Sequence, residues 1–204
     1  MSDYFAAFLD LRNRRCLVIG GGPVGERKVL GLIESGARVV LVSPTLTTGL
    51  ATLVAAGRVE HRARGFRRTD LRGCRVVVAA TGRATIDRAV AAAARRACVL
   101  VNAVDRPRAC DFILPSVLRR GQLQIAVSTG GRSPALAREI RRRLETLFGP
   151  EYAAQVERAG QACRRGRARA TTPAARAASG ERAARQALER QDARASWQAP
   201  AVAR

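Results

Sequence analysis

The chain has 204 residues, room for one ordinary domain plus an appendage, and its 37 Lys and Arg against 16 Asp and Glu give a formal charge of +21. No apolar run approaches the roughly 18 to 20 residues of a membrane-spanning helix, and Met1-Ser2-Asp3-Tyr4 opens no basic-then-apolar leader, so a cytoplasmic protein is expected rather than a membrane or secreted one. Scattered cysteines without a Cys-x-x-Cys pair, and the single histidine His61, argue against a disulfide framework, a metal site, or a Ser-His-Asp triad that does not use His61 itself.

Lys28 is the only lysine, and every other basic residue is an arginine in an alanine-rich background. The excess charge runs through both 1–150 and 151–204, so no dedicated basic tail is indicated. Arginine pairs well with carboxylates and phosphates. A polyanionic ligand therefore fits this surface as well as nucleic acid does, and no nucleic-acid-binding motif accompanies the charge.

In chain order, a short apolar strand at 16–19 runs into Gly20-Gly-Gly-Pro-Val-Gly25 and then a helix over 26–35. A β-branched strand at 37–42 stops at Ser43-Pro44, and a helix over 47–56 is closed by Gly57. Strands are predicted at 59–63 and 75–80, then an alanine-rich helix over 84–97 and a strand at 98–101. Strands alternating with helices predict a parallel, doubly wound sheet of Rossmann type. Beyond Pro107 the pattern changes to a strand pair within 112–128. Ser133-Pro134 supplies an N-cap and N1 proline for a helix with Leu136, Ile140, Leu144 and Leu147 on one face. The reading is a nucleotide domain at 1–113, a small α+β dimerisation region at 114–148 and a helical C-terminal segment at 149–204. Within the last, 164–180 reads as a flexible link and 181–195 as a weak helix.

Gly20-x-Gly22-x-x-Gly25 between a strand and a helix is the dinucleotide-binding pattern: a tight turn, close backbone approach to a pyrophosphate, and close helix packing. The second strand ends in Ser43-Pro44-Thr45 with no acid for the adenosine ribose, so NAD and NADP are not distinguished there. Ligands of open parallel sheets bind outside the carboxyl ends of strands. Thr81, Asn102 and Asp105 should therefore line the nicotinamide crevice. Asp105 is the acid/base candidate, or else a turn residue of Asp105-Arg106-Pro107. The Ser128–Pro134 stretch is a second glycine turn, either an anion site or a plain helix entry. His61 reads as a surface residue.

Taken together these blocks resemble the precorrin-2 dehydrogenase/sirohydrochlorin ferrochelatase family, which also forms the N-terminal half of siroheme synthase. The blocks are Tyr4–Leu11, Cys16–Lys28, Ala79–Thr81, Asn102–Asp105, Phe112–Ser116 and Ser128–Ala137, and the match covers about 3–160. The resemblance implies NAD-dependent oxidation of precorrin-2, a multi-carboxylate tetrapyrrole, with Fe²⁺ as a substrate of a second, chelatase step in some members. It implies Asp105 as the catalytic carboxylate, an NAD site at Gly20, Gly22, Pro23, Val24, Pro44, Thr45 and Thr81, and substrate contacts from Asn102, Ser128 and Thr129. It also implies a homodimer. Gly25 stands where the family pattern has alanine, which is expected to loosen helix packing slightly, and Thr129 stands where it has a regulatory serine. Beyond about 160 the tail shows little of the family's helical pattern. A dehydrogenase without chelatase activity is the alternative, and an NAD-sensing regulator of nucleic acid or protein would need a recognition helix that the sequence does not show.

Overall fold

The structure, a computed structural model, describes residues 4–197 and divides after Leu114 into two compact units. In the first, β1 (Arg15–Ile19), β2 (Arg38–Val42), β3 (Val59–Arg62), β4 (Cys74–Ala79) and β5 (Leu100–Ala103) form one sheet in the order β3-β2-β1-β4-β5. All four strand pairings are parallel. The crossovers are α1 (Pro23–Glu34), α2 (Thr48–Ala55) and α3 (Ala84–Arg96). Both faces are covered, which is why the strands read as continuous β-branched runs and not as alternating ones. Leu17, Ile19, Val40 and Val77 pack with Val90 and Ala94 of α3, whereas Val18, Leu41 and Val78 pack with Val29 of α1 and Leu50 of α2. From β1 the chain steps outward to β2 and β3 and returns beside β1 as β4. The carboxyl ends of β1 and β4 thus flank the switch point where a doubly wound sheet opens a crevice.

One boundary departs from expectation with consequences for the site. The fifth strand begins at Leu100, two residues late, because Cys98 takes a left-handed φ of 53° and its amide, with that of Val99, closes the end of α3 on Arg95 and Ala94. Asn102 consequently lies inside the ladder, opposite Val78, and not beyond its end.

In the second unit β6 (Ser116–Arg120) and β7 (Leu123–Val127) make an antiparallel hairpin turning at Gly121, whose φ is 57°. Then follow α4 (Pro134–Leu147), α5 (Tyr152–Arg169) and α6 (Pro173–Trp197), with α4 against both strands and α5 against α6. Ser133 caps α4 by accepting from the Leu136 amide at 3.2 Å. The expected flexible link at 164–180 is helical except at 170–172. Alanine and arginine both have high intrinsic helix propensity. Thr172 accepts from the Ala175 amide at 3.2 Å and Pro173 occupies the first turn, so the break restarts a helix. Gly166 lets the two helices touch, since a Cβ there would lie 1.7 Å from the Ser179 hydroxyl oxygen. Among the described residues no helix is long and apolar enough to cross a membrane.

A buried carboxylate ties the far edge of the sheet. Asp70 is fully buried and accepts from Arg62 at 2.6 Å, from Arg64 at 2.6 and 2.9 Å, and from the Arg67 amide at 2.8 Å. The Arg64 guanidinium, followed by the Arg67 amide and Arg62, holds its carboxyl well below the usual carboxylate range against the opposing effect of burial. A group depressed in this way contributes its stability above its unfolded value near 3.9 and loses it as pH falls toward the folded value. Asp70→Ala is therefore expected to cost about 3 kcal/mol in urea unfolding at neutral pH, the low end for a broken buried ion pair because both arginines can turn to solvent. The gap to the parent should narrow below about pH 4; a gap that widens with acid would contradict the assignment.

Candidate active site

Three of the glycines that build the crevice leave no room for a side chain. Gly20, directly after β1, has φ 113°, donates its amide to the Val42 carbonyl at 3.0 Å, and would place a Cβ 2.3 Å from the Ala80 carbonyl oxygen. Gly21 donates to the Ser43 hydroxyl at 3.0 Å, and its Cβ would sit 2.1 Å from the Thr45 carbonyl oxygen. At Gly25 a Cβ would fall 2.0 Å from the Gly20 carbonyl oxygen. Gly25 therefore draws α1 tight against the turn, contrary to the loosening expected from its replacing an alanine. Gly22 differs from all three, because a Cβ there meets nothing within 4 Å and points into open space. It caps α1 without a side-chain hydrogen bond, and Pro23 follows. The Val24 and Gly25 amides have no acceptor within the helix, so the helix start presents donors and the positive end of its dipole.

The cleft above this turn has a volume of about 540 Å³. Gly20, Gly22, Pro23 and Val24 line one side, Pro44 and Thr45 the β2 end, and Thr81 the β4 end, so all seven residues expected at a dinucleotide meet in one place. Ser43 is buried and accepts the Gly21 amide, which leaves Thr45 as the hydroxyl at the β2 end. His61 is not a free surface residue: a ring nitrogen lies 2.9 Å from the Ser43 carbonyl oxygen, supporting the same end. Glu26, in the first turn of α1, accepts the Thr47 hydroxyl at 2.5 Å and so joins α1 to the start of α2. Arg64 and Phe66 also line the cleft, and sequence reasoning passed over both.

Thr81 is held from behind. Its amide at 3.3 Å and its hydroxyl at 2.7 Å both donate to one oxygen of Asp87, a buried carboxylate in the first turn of α3. The other oxygen lies 3.8 Å from Nε of Arg106. Asp87 thus links the wall of the nucleotide cleft to the turn after β5. At the tip of that turn Asp105 is exposed, with φ 59°, and the Arg106 amide closes the turn on the Ala103 carbonyl at 3.1 Å. Asp105 lines a neighbouring cleft formed with α3 instead of the nucleotide cleft itself. Its charge opposes the lowering that burial and Arg27 impose on the Lys28 ammonium, which places the single lysine within electrostatic reach.

The remaining expected residues are engaged elsewhere. Asn102 lines neither cleft; it is buried and donates to the Phe112 carbonyl at 2.9 Å. With Cys110, whose sulfur lies 3.2 Å from the Ala103 amide, it pins residues 110–112 onto β5. Burial pushes the Cys110 thiol up, so it is not a ready nucleophile. Ser128 and Thr129 belong to the second unit. There the Ser128 hydroxyl accepts the Gly130 amide, and the Thr129 hydroxyl both donates to the Ser133 carbonyl and accepts its amide at 3.0 Å, shaping the entry to α4. Among the described residues no cluster of three or more His, Cys, Asp and Glu is placed to hold a metal ion.

A parallel sheet whose switch point carries a glycine turn, a helix start and a cleft of this size defines a Rossmann-type dinucleotide-binding protein. A family model described as putative NAD(P)-binding matches residues 7–116, and a second, described as sirohaem biosynthesis protein central, matches 120–147. The chain belongs to this putative NAD(P)-binding family, and the resemblance drawn from its sequence blocks is borne out. It is 46% identical over 150 residues to siroheme synthase of Thioalkalivibrio sulfidiphilus, covering 74% of this chain and 31% of that protein. Against siroheme synthase of Nitrosomonas europaea it is 42% identical over 160 residues, or 78% and 34% of the two chains. It thus spans about a third of these relatives. The solved structure of SirC, precorrin-2 dehydrogenase, shares its fold with a TM-score of 0.65 at 22% identity, over 91% of this chain and 100% of that one.

Proposed function

We propose that the chain oxidises precorrin-2 to sirohydrochlorin with NAD, the first of the activities that the siroheme synthase relatives suggest. The observation that carries this reading is the nucleotide cleft at the switch point, with a helix start at one end and, through Thr81, Asp87 and Arg106, a structural link to an exposed carboxylate at the other. When bound, the dinucleotide supplies the hydride acceptor. The amides of the α1 start would hold its pyrophosphate, the Thr45 hydroxyl would be available to a ribose, and Thr81, fixed by Asp87, would position the reactive end. Oxidation removes one hydride and one proton from the macrocycle, and the Asp105 carboxylate takes the proton. In a chain that also inserts iron, Fe²⁺ is a substrate and the same carboxylate accepts pyrrole protons. Assays of NADH formation from precorrin-2, and of Fe²⁺ insertion into sirohydrochlorin, read the two steps separately. The reading places both in the cytoplasm.

The protein works as a homodimer in this reading. In the second unit Leu136, Ile140 and Leu147 of α4 are 51%, 37% and 65% exposed, an apolar face that a second copy would cover. Light scattering at micromolar concentration is expected to give twice the 21.9 kDa chain mass, and a mass equal to one chain would contradict it.

A further inference from the structure

Between α3 and the turn after β5 lies a cleft of about 720 Å³ that the dinucleotide reading leaves unused. Small apolar residues, Ala91, Ala92 and Ala109, line it together with four arginines, Arg88, Arg95, Arg106 and Arg108, against one carboxylate, Asp105. The partners of these guanidiniums are few. Arg95 donates Nε to Asp111 at 3.0 Å and an Nη to the Arg108 carbonyl at a long 3.4 Å. Arg106 has a buried Nε without a hydrogen bond, 3.8 Å from Asp87. The guanidiniums of Arg88 and Arg108 form no hydrogen bond or ion pair with any described residue, and both residues are exposed.

Four guanidiniums gathered around one recess against a single lining carboxylate make a local excess of positive charge that suits an anion. Their forked, planar donors match carboxylates. The arginines surround one open recess and do not run as an extended stripe, which disfavours a nucleic-acid backbone. The recess is also separate from the nucleotide cleft, with which it shares no lining residue. We infer that this cleft is a carboxylate-binding site, and that it takes acidic side arms of the macrocycle so that the ring is presented to Asp105. The identity of the occupant rests on the function proposed above; the anion site itself does not.

Arg88→Gln/Arg108→Gln is the suitable variant, because both side chains are exposed and unpartnered and their loss leaves the fold intact. Mellitate, a compact benzene polycarboxylate, serves as the probe for binding by calorimetry, and Arg58→Gln/Arg72→Gln, two exposed arginines outside the cleft, controls for net charge. The double variant is expected to weaken mellitate binding at least tenfold and to raise the KM for precorrin-2 about tenfold, as loss of one charge-assisted bond would do, with the Kd for NAD unchanged. The control should change neither by more than about twofold. Mellitate affinity that is equal in parent and variant, or that falls equally in the control, overturns the site. Arg88- and Arg108-dependent mellitate binding in a protein that does not oxidise precorrin-2 upholds the anion site and instead removes the proposed activity. Turnover with an unchanged KM in the variant removes the macrocycle as occupant.

Discussion

Gly22→Val is expected to lower NAD affinity at least about a hundredfold while leaving a folded protein. The residue has an ordinary extended backbone, φ −83° and ψ −178°, which valine adopts without strain, and no protein atom lies within 4 Å of a Cβ there. The new side chain would occupy only the space into which a pyrophosphate must come to reach the helix amides. Gly20→Ala makes the contrast, because φ 113° and the 2.3 Å approach to the Ala80 carbonyl oxygen would damage the turn itself. Calorimetry with NAD, beside thermal melts of both variants, checks the pair. Parent-like affinity in a folded Gly22→Val protein would remove this turn as the dinucleotide site.

Replacing Asp105 separates its two readings, proton acceptor and turn residue. Asp105→Ala is expected to slow NADH formation from precorrin-2 at least about a hundredfold, the lower range for a general base, with NAD affinity preserved. Alanine at φ 59° also strains the backbone by about 1 kcal/mol, whereas asparagine tolerates that conformation and removes only the charge. Asp105→Asn should therefore be as slow as Asp105→Ala. An asparagine variant at the parent rate beside a slow alanine variant would make the residue a turn former. Iron insertion, where the chain performs it, should fall in the same order.

The nucleotide half of the site was legible because its chemistry is carried by consecutive residues. A buried strand, a glycine turn and a helix follow one another in the sequence, and spacing alone aligns Gly20, Gly22 and Gly25. Legibility failed where a residue's task is set by a partner far along the chain. Nothing in the sequence singles out Asp87, Asp70 or Glu26, yet the fold turns each toward groups from another element: Thr81 and Arg106, Arg62 and Arg64, and Thr47. Asn102 was misplaced by two residues of strand register, since nothing in the sequence marks Cys98 as left-handed. The arginine cleft could not be seen at all, because arginine is everywhere in the chain and only the packing of α3 against the Asp105 turn gathers four of them. The helices around 170–172 were lost for the opposite reason, as low complexity in alanine and arginine signals both disorder and helix.

The most direct test of the account follows both products of one reaction. Purified protein, mixed with precorrin-2 and NAD under anaerobic conditions, is monitored for NADH absorbance and for the sirohydrochlorin spectrum together. The account predicts that both appear, one for one, and that neither forms with Gly22→Val. Tight binding of NAD to the parent protein without formation of NADH from precorrin-2 would contradict it, leaving a dinucleotide-binding protein with some other substrate or none.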